Sequence, residues 1–269
     1  MPELPEVEIC ARNLRRWLVG RRIKAVDALD GIPLRGIAAA EVRAALSGRT
    51  VDDVCRRGKQ MWLPLDDGRV VLTHLGMTGK YVQSKAGEPR RKGWRVALTL
   101  DDGTEVLFAD PRRIGRFSVV DARGLETAVD ALGPDALESG HQSGVLYSAL
   151  QKTRRAVKVA LLDQHLIAGI GNIYACEGLW YAGIHPSKRA SALSIEDCDQ
   201  LSNHVAECMS ATLERDMSPE VTYIHEGAEN PFAVYGREGE QCRRCTSTLL
   251  RMTQGGRSTF WCPQCQPEA

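Results

Sequence analysis

The sequence predicts an α+β chain of several domains: a helix-led antiparallel β-sandwich, then a helical domain, then a small cysteine-bearing unit. Three observations carry this. The apolar period is two over residues 22–120 and turns helical from about 130. Two Asp-Asp-Gly triplets, at 66–68 and 101–103, separate alternating segments in the manner of hairpin turns. Four cysteines close the chain as Cys242-x2-Cys245 and Cys262-x2-Cys265.

Each element follows in order. Residues 5–19 read as a helix, with Pro5 in the first turn, Val7, Ala11, Leu14 and Leu18 on one face, and Gly20 as the stop. Val70–Thr73, Arg95–Leu100 and Glu105–Phe108 read as strands, and 84–93 as a polar loop. Helical patterns recur at 144–151, 153–163, 172–182 and 194–215, with the glycine turn Gly169-Ile170-Gly171 between two of them. The expected domains are 1–125, 130–220 and 234–269.

Composition narrows the function classes. The 269 residues are 43% hydrophobic and 26% charged, as in ordinary globular proteins, and the apolar runs are too short and too charged to span a membrane. The acidic start with Glu3, Glu6 and Glu8 is not a secretory signal, which places the chain in the cytoplasm of a bacterial cell, near its DNA. A net charge of +1 argues against a protein that merely coats nucleic acid. Basic residues nevertheless cluster at 15–24, 56–59, 90–95, 112–116 and 152–158. One such cluster is ordinarily a solvated face; five suggest a polarised surface able to follow phosphates.

Of nine cysteines, Cys10, Cys55, Cys176, Cys198 and Cys208 read as small apolar residues. The four C-terminal ones have the spacing of thiolates around one tetrahedral Zn2+. Two disulfides would need an oxidising compartment. Four sulfurs close the coordination shell, so the zinc is structural and supplies folding energy to a unit too short for its own core. Between the cysteine pairs, two short strands flank Gly255-Gly256 and leave Arg257 near a hairpin tip. Such a tip suits a DNA groove, although exposed arginines are more often simply solvated. In the glycine turn, Asn172 is placed to cap the next helix, whose first amides would then accept a phosphate alongside Arg154, Arg155 and Lys158. At the other end of the chain, removal of Met1 would expose the secondary amine of Pro2. An amine attacking a sugar aldehyde carbon forms a Schiff base, and from proline the product is a permanently cationic iminium.

These residues and their setting resemble a known family. PELPEVE (2–8), HLGMTGK (74–80), DPRRIG (110–115), IAGIGNIYACEGLWYAGIHP (167–186), VYGREGEQC (234–242) and RSTFWCPQCQ (257–266) are similar to motifs of the bacterial formamidopyrimidine-DNA glycosylases, in that family's order. The wider group includes endonuclease VIII, and PEL rather than PEG at the start favours the formamidopyrimidine branch. The resemblance implies a β-sandwich, a helix–two-turn–helix domain and a zinc-finger β-hairpin. It implies a monomeric repair enzyme acting on double-stranded DNA with a damaged base or abasic site, as glycosylase and lyase. Pro2 would be the nucleophile, Glu3 the general acid/base, and Lys59 and Arg257 would assist the chemistry and hold phosphate. Arg154, Lys158 and Asn172 fall at phosphate-binding positions. Met77, Arg112 and Ile114 fall where side chains fill the gap left by the everted base, with Ile114 replacing the family's usual phenylalanine. Glu6, Tyr223 and Phe232 would line the lesion pocket. The lesion-capping loop before Val234 is shorter than the family's, which puts 8-oxoguanine preference in doubt. The 84–95 loop lacks the family's histidine, with Lys92 or Arg95 as substitutes. The competing readings are a glycosylase-like module that only binds distorted DNA, and a zinc-ribbon regulator; the second leaves the N-terminal motif unexplained.

Overall fold

A computed structural model describes residues 2–215 and 230–268, which form two compact units, 2–131 and 132–215 with 230–268. The first opens with α1 (Leu4–Leu18), one residue ahead of the expected helix. Pro5 sits in the first turn, where no amide partner is lost. Val7, Ala11, Leu14 and Leu18 are buried on one face as their spacing requires. Gly20, at φ +74°, takes the left-handed conformation just past the helix end.

Two four-stranded antiparallel sheets follow. The chain runs through β1 (Ile23–Ala28), α2 (Ala39–Leu46), β2 (Cys55–Arg57), β3 (Gln60–Pro64), β4 (Val70–His74), β5 (Lys80–Lys85), β6 (Trp94–Leu100), β7 (Thr104–Ala109) and β8 (Arg116–Val120). One sheet has the order β1-β6-β7-β5 and the other β2-β3-β4-β8. The Asp-Asp-Gly triplets turn β3 into β4 and β6 into β7, with Gly68 and Gly103 both at φ +82°. Leu14, Leu18, Tyr81, Phe108 and Phe117 belong to one buried core, with the Phe108 ring 5.1 Å from Tyr81 and 6.1 Å from Phe117.

One helix escaped the period-two reading over 22–120, and a second falls in the gap between it and the helical pattern from about 130. The segment AAEVRAAL forms α2, whose Ala, Glu, Arg and Leu favour a helix and whose Val42 and Leu46 join the core. Residues Ala122–Asp130 form α3, where Asp121 accepts the Gly124 N–H at 2.9 Å as an N-cap. Cys55 and Cys208 are only partly buried, unlike Cys10, Cys176 and Cys198.

In the second unit the helices are α4 (Val145–Leu150), α5 (Val157–Leu161), α6 (Asn172–Tyr181) and α7 (Ile195–Arg215). The stretch expected as a helix over 153–163 is helical only from Val157, so Arg154 and Arg155 lie ahead of α5. Helix α6 is apolar nearly all round because it is enclosed. Its Gly178 meets Val205 of α7 so closely that an added Cβ would fall 2.3 Å from a Val205 methyl carbon. The hairpin β9 (Leu250–Gln254) and β10 (Arg257–Trp261) turns at Gly255-Gly256, both with positive φ as a two-residue turn of this hand demands. Trp180, Val234, Leu249 and Phe260 pack with the zinc-motif cysteines in one cluster, so the hairpin rests on α6. Among the described residues, no helix is long and apolar enough to cross a membrane.

A buried carboxylate holds the segment Ala233–Tyr235 against α6. Glu177 of α6 accepts three successive amides, from Ala233 at 2.6 Å and from Val234 and Tyr235 at 2.9 Å. Its removal strands three inward-facing N–H groups. We expect Glu177→Ala to cost about 3 kcal/mol, read as a lower Tm with faster hydrogen exchange at 233–235. An unchanged Tm would show that these bonds do not hold the segment.

Candidate active site and nucleic-acid interface

The first group of site residues surrounds the start of α1. Glu3 is its N-cap, and the Glu3 N–H donates to the Glu6 carboxyl at 2.8 Å within a capping box. Pro2 is buried, and Glu3 and Glu6 are 2% and 3% exposed. Burial, with the nearby Glu3 charge adding, pushes the Glu6 carboxyl up to about 7. One helical turn on, Glu8 draws in Arg56 at 2.8 Å and Arg12 at 2.9 Å. Arg56, whose side chain is 4% exposed, donates also to the Gly58 carbonyl at 3.1 Å. The β2–β3 turn that carries Lys59 is thereby tied to the helix that carries Glu3. Lys59 is itself 9% exposed.

His74, opposite Gln60 in the β3–β4 ladder, was not singled out by its sequence setting. Its Nδ1 accepts the Gly76 N–H at 2.9 Å. Burial, followed by the charges of Lys59, Arg116 and Arg35, pushes the imidazole down to about 4, so it is neutral at physiological pH. Lys59, Arg35 and Arg116 thus set a positive potential around His74 that favours an anion.

The second group lies on two loops of the same unit. Met77, between β4 and β5, is 41% exposed, and Ile114, between β7 and β8, is 40% exposed; Arg112 is exposed beside it. The loops meet backbone to backbone, since a Cβ on Gly76 would fall 2.7 Å from the Gly115 nitrogen. Lys92 is exposed, whereas Arg95 is occupied by the Asp110 carbonyl at 3.2 Å. Several cations of the five basic clusters are likewise held by acids distant in sequence: Arg21 by Asp101 and Asp102, Arg90 by Glu105 and Asp27, Arg155 by Asp163.

The third group belongs to the second unit. Gln164 shapes the glycine turn, donating to the Leu162 and Ile170 carbonyls at 3.0 Å and accepting the Gly169 N–H at 2.9 Å. Gly169 has φ +108°. Asn172 is not the cap of α6, as expected; Gly171 occupies that position. The Asn172 amide instead donates to the Ser258 carbonyl at 2.8 Å and fastens the zinc hairpin to the glycine turn. A side chain engaged by a neighbouring strand cannot also fold back onto its own helix. Lys158 is fully buried on α5, while Arg154 and Arg257 are exposed, Arg257 beginning β10 at the hairpin turn. Phe232 is buried edge-on against Tyr235, with ring centroids 5.9 Å apart. Tyr223 lies outside the described residues.

Cys242, Cys245, Cys262 and Cys265 bring their sulfurs within 4.8 Å of one another. Ligands at the zinc–sulfur distance in a tetrahedron are ~3.8 Å apart, and the Cys242–Cys265 and Cys245–Cys262 pairs stand at 3.9 and 3.4 Å. Amides of Arg244 and Cys265 point at Cys242 and Cys262 at 3.4 Å, as suits thiolates. The set fits zinc and leaves no open position for water.

The raised Glu6 has a consequence for stability. Its folded value lies above the ordinary 4.5, so the native state holds a proton that the unfolded chain releases. That contribution is present below 4.5 and is lost as pH rises through about 7. Wild-type protein should therefore lose up to about 3 kcal/mol relative to Glu6→Gln between about pH 5 and pH 8. Parallel urea midpoints for the two proteins across that range would contradict the assignment.

Comparison with known proteins agrees with this arrangement. Residues 1–117 match the model of the formamidopyrimidine-DNA glycosylase N-terminal domain, 132–222 that of the formamidopyrimidine-DNA glycosylase H2TH domain, and 239–267 that of the zinc finger found in FPG and IleRS. The chain is 38% identical to the formamidopyrimidine-DNA glycosylase of Salinispora arenicola, covering 99% of this chain and 96% of that protein. It is 38% identical also to that of Chloroflexus aurantiacus, at 99% and 98% coverage. Crystal structures of the Lactococcus lactis enzyme with abasic-site DNA and with FAPY-dG DNA each superpose with a TM-score of 0.88 at 28% identity, covering 99% of this chain and 100% of theirs. Full-length matches of this kind, with a four-cysteine structural zinc site in place, identify the chain as a member of the formamidopyrimidine-DNA glycosylase family.

Proposed function

We propose that the protein is a bifunctional glycosylase and abasic-site lyase of base excision repair, working as a monomer on damaged double-stranded DNA in the bacterial cytoplasm. The observation that carries this is the buried start of α1, where a secondary amine precedes two enclosed carboxyl groups and Lys59 is tied to the same helix. Once Met1 is removed, the lone pair of Pro2 attacks C1′ of the everted nucleotide. The C1′–base bond breaks and the base leaves with its electron pair. The Pro2 nitrogen then sheds its proton, and Glu3 protonates O4′ as the C1′–O4′ bond opens. The product is an iminium between C1′ and Pro2. Loss of a C2′ proton into this electron sink expels the 3′ phosphate, and loss of a C4′ proton expels the 5′ phosphate. Water then hydrolyses the iminium and frees Pro2.

Lys59 and Arg257 hold the flanking phosphates through these eliminations, with the exposed Arg154 and Lys92 along the backbone, while Lys158, fully buried, and Asn172, engaged by Ser258, stay within the protein. Met77, Arg112 and Ile114 occupy the vacated stack; isoleucine wedges there without the stacking of an aromatic ring. Zinc supplies only structure, holding the hairpin that presents Arg257. The reading requires a covalent intermediate. Borohydride should trap the protein on abasic-site DNA, an N-terminal tag should abolish trapping, and Pro2→Gly should retain weaker, primary-amine activity. Full trapping by a tagged protein would overturn the mechanism.

The lesion range follows from the pocket. The family resemblance assigns Glu6, Tyr223 and Phe232 to that pocket, and the segment before Val234 is shorter than is usual in the family. Discriminating 8-oxoguanine from guanine rests on few polar contacts, each worth about 1 kcal/mol net. Formamidopyrimidines, hydantoins and abasic sites unstack more readily. Single-turnover excision should thus be about tenfold or more slower for 8-oxoguanine opposite cytosine than for a formamidopyrimidine, the equivalent of one or two lost hydrogen bonds. Equal rates would refute the dependence on the short segment.

A further inference from the structure

The loop between β4 and β5, the loop between β7 and β8, and the end of the 84–93 loop all converge on one buried residue. Asp110 is 0% exposed. Its Oδ1 accepts from the Thr78 hydroxyl at 2.6 Å, one residue after Met77. Its Oδ2 accepts from the Gly115 N–H at 2.7 Å, one residue after Ile114. The Asp110 carbonyl accepts from Arg113 N–H at 3.2 Å and from Arg95 at 3.2 Å, and the Asp110 N–H donates to the Gly93 carbonyl at 2.9 Å, one residue after Lys92. Glycine stands wherever these loops touch: a Cβ would fall 2.7 Å from Gly115 N at Gly76, 2.9 Å from the Pro111 ring at Gly93, and 2.8 Å from the Phe108 ring at Gly115. The β4–β5 and β7–β8 loops therefore cannot shift independently without breaking a buried charge-assisted hydrogen bond, and the 84–93 loop is tied to them through the Asp110 backbone.

We propose that Asp110 is the positioning residue of base eversion, its carboxylate locking the Met77 loop and the Arg112–Ile114 loop into one wedge that enters the duplex as a body. The inference rests on the glycosylase reading above for what the wedge does, and on the hydrogen bonds alone for its rigidity. A wedge must arrive whole, because unstacking a base costs a few kcal/mol and two loosely coupled side chains would each meet that cost with part of the needed contact. An abasic site has no base to unstack, so cleavage there draws far less on the wedge.

The test compares Thr78→Val, Asp110→Ala and Asp110→Asn with wild type on one duplex series. It measures single-turnover excision of a formamidopyrimidine, cleavage of a preformed abasic site, and fluorescence of a 2-aminopurine beside the lesion. Thr78→Val and Asp110→Ala should lose about tenfold or more in excision, with a matching loss of 2-aminopurine signal, while abasic cleavage falls less than about threefold. Asparagine keeps an oxygen for Gly115 and can donate to the Thr78 hydroxyl, so Asp110→Asn should recover most of the loss. Equal losses in excision and abasic cleavage, or full excision by Thr78→Val, would overturn the proposal. Thr78→Val removes only a hydroxyl and serves if Asp110→Ala does not fold. If wild type cleaves no abasic DNA, it is the glycosylase reading that fails. The coupling is then read by hydrogen exchange: Asp110→Ala should speed the Gly76 and Gly79 amides of the other loop, and unchanged exchange there would sink it.

Discussion

The N–H of Glu3 donates to a Glu6 carboxyl that burial has made hard to ionise, and this bond decides where the chain begins. Chain termini ordinarily fray; this one is enclosed, with Pro2, Glu3 and Glu6 all buried at the head of α1. A capping box on the surface would be worth little more than helix stability. Inside the unit it does more, because two carboxyl groups so close cannot both carry full charge cheaply. Removal of Met1 would place the secondary amine of Pro2 beside these two enclosed carboxyl groups. The Glu8–Arg56–Gly58 links then place the Lys59 turn against the same helix, so the surroundings of Pro2 are set by α1 and not by a flexible loop.

The rest of the molecule meets a common problem, that polar reach must be supplied by segments too short to have cores of their own. Each such segment is held by a buried polar atom. Asp110 gathers the loops of the first unit, Gln164 folds the glycine turn, and Glu177 receives the chain at Ala233–Tyr235. Four cysteines flank the hairpin, and its strands are fastened to the glycine turn through Asn172. The exposed side chains proposed as wedge and phosphate contacts are thereby mounted on hydrogen-bonded supports, which is what precise geometry requires.

Features governed by neighbours in sequence were legible in it. The Asp-Asp-Gly turns, the Gly255-Gly256 hairpin, the helix after Pro5 and the cysteine spacing all depend on local backbone demands, and the structure places each of them as expected. Helix α2 was hidden because it is short and lies among strands, so a long period-two window absorbed it. Asn172 was misread as a cap because its true partner, Ser258, is far away in sequence. The same holds for Asp110, Glu177 and His74, whose importance comes from what the fold brings to them. A single sequence shows a carboxylate but not the amides it will receive. The roles proposed for Pro2, Glu3 and Lys59 come from motif resemblance, where spacing alone would have left a frayed terminus and a solvated lysine.

The account turns on which nitrogen bonds to C1′. Proteolysis of the borohydride-reduced protein–DNA adduct, followed by peptide mass spectrometry, reads that atom directly. The account predicts the added mass on a peptide that begins at Pro2, with Met1 absent and Lys59 unmodified. An adduct on the Lys59 amine, or on a peptide that still carries Met1, would contradict it.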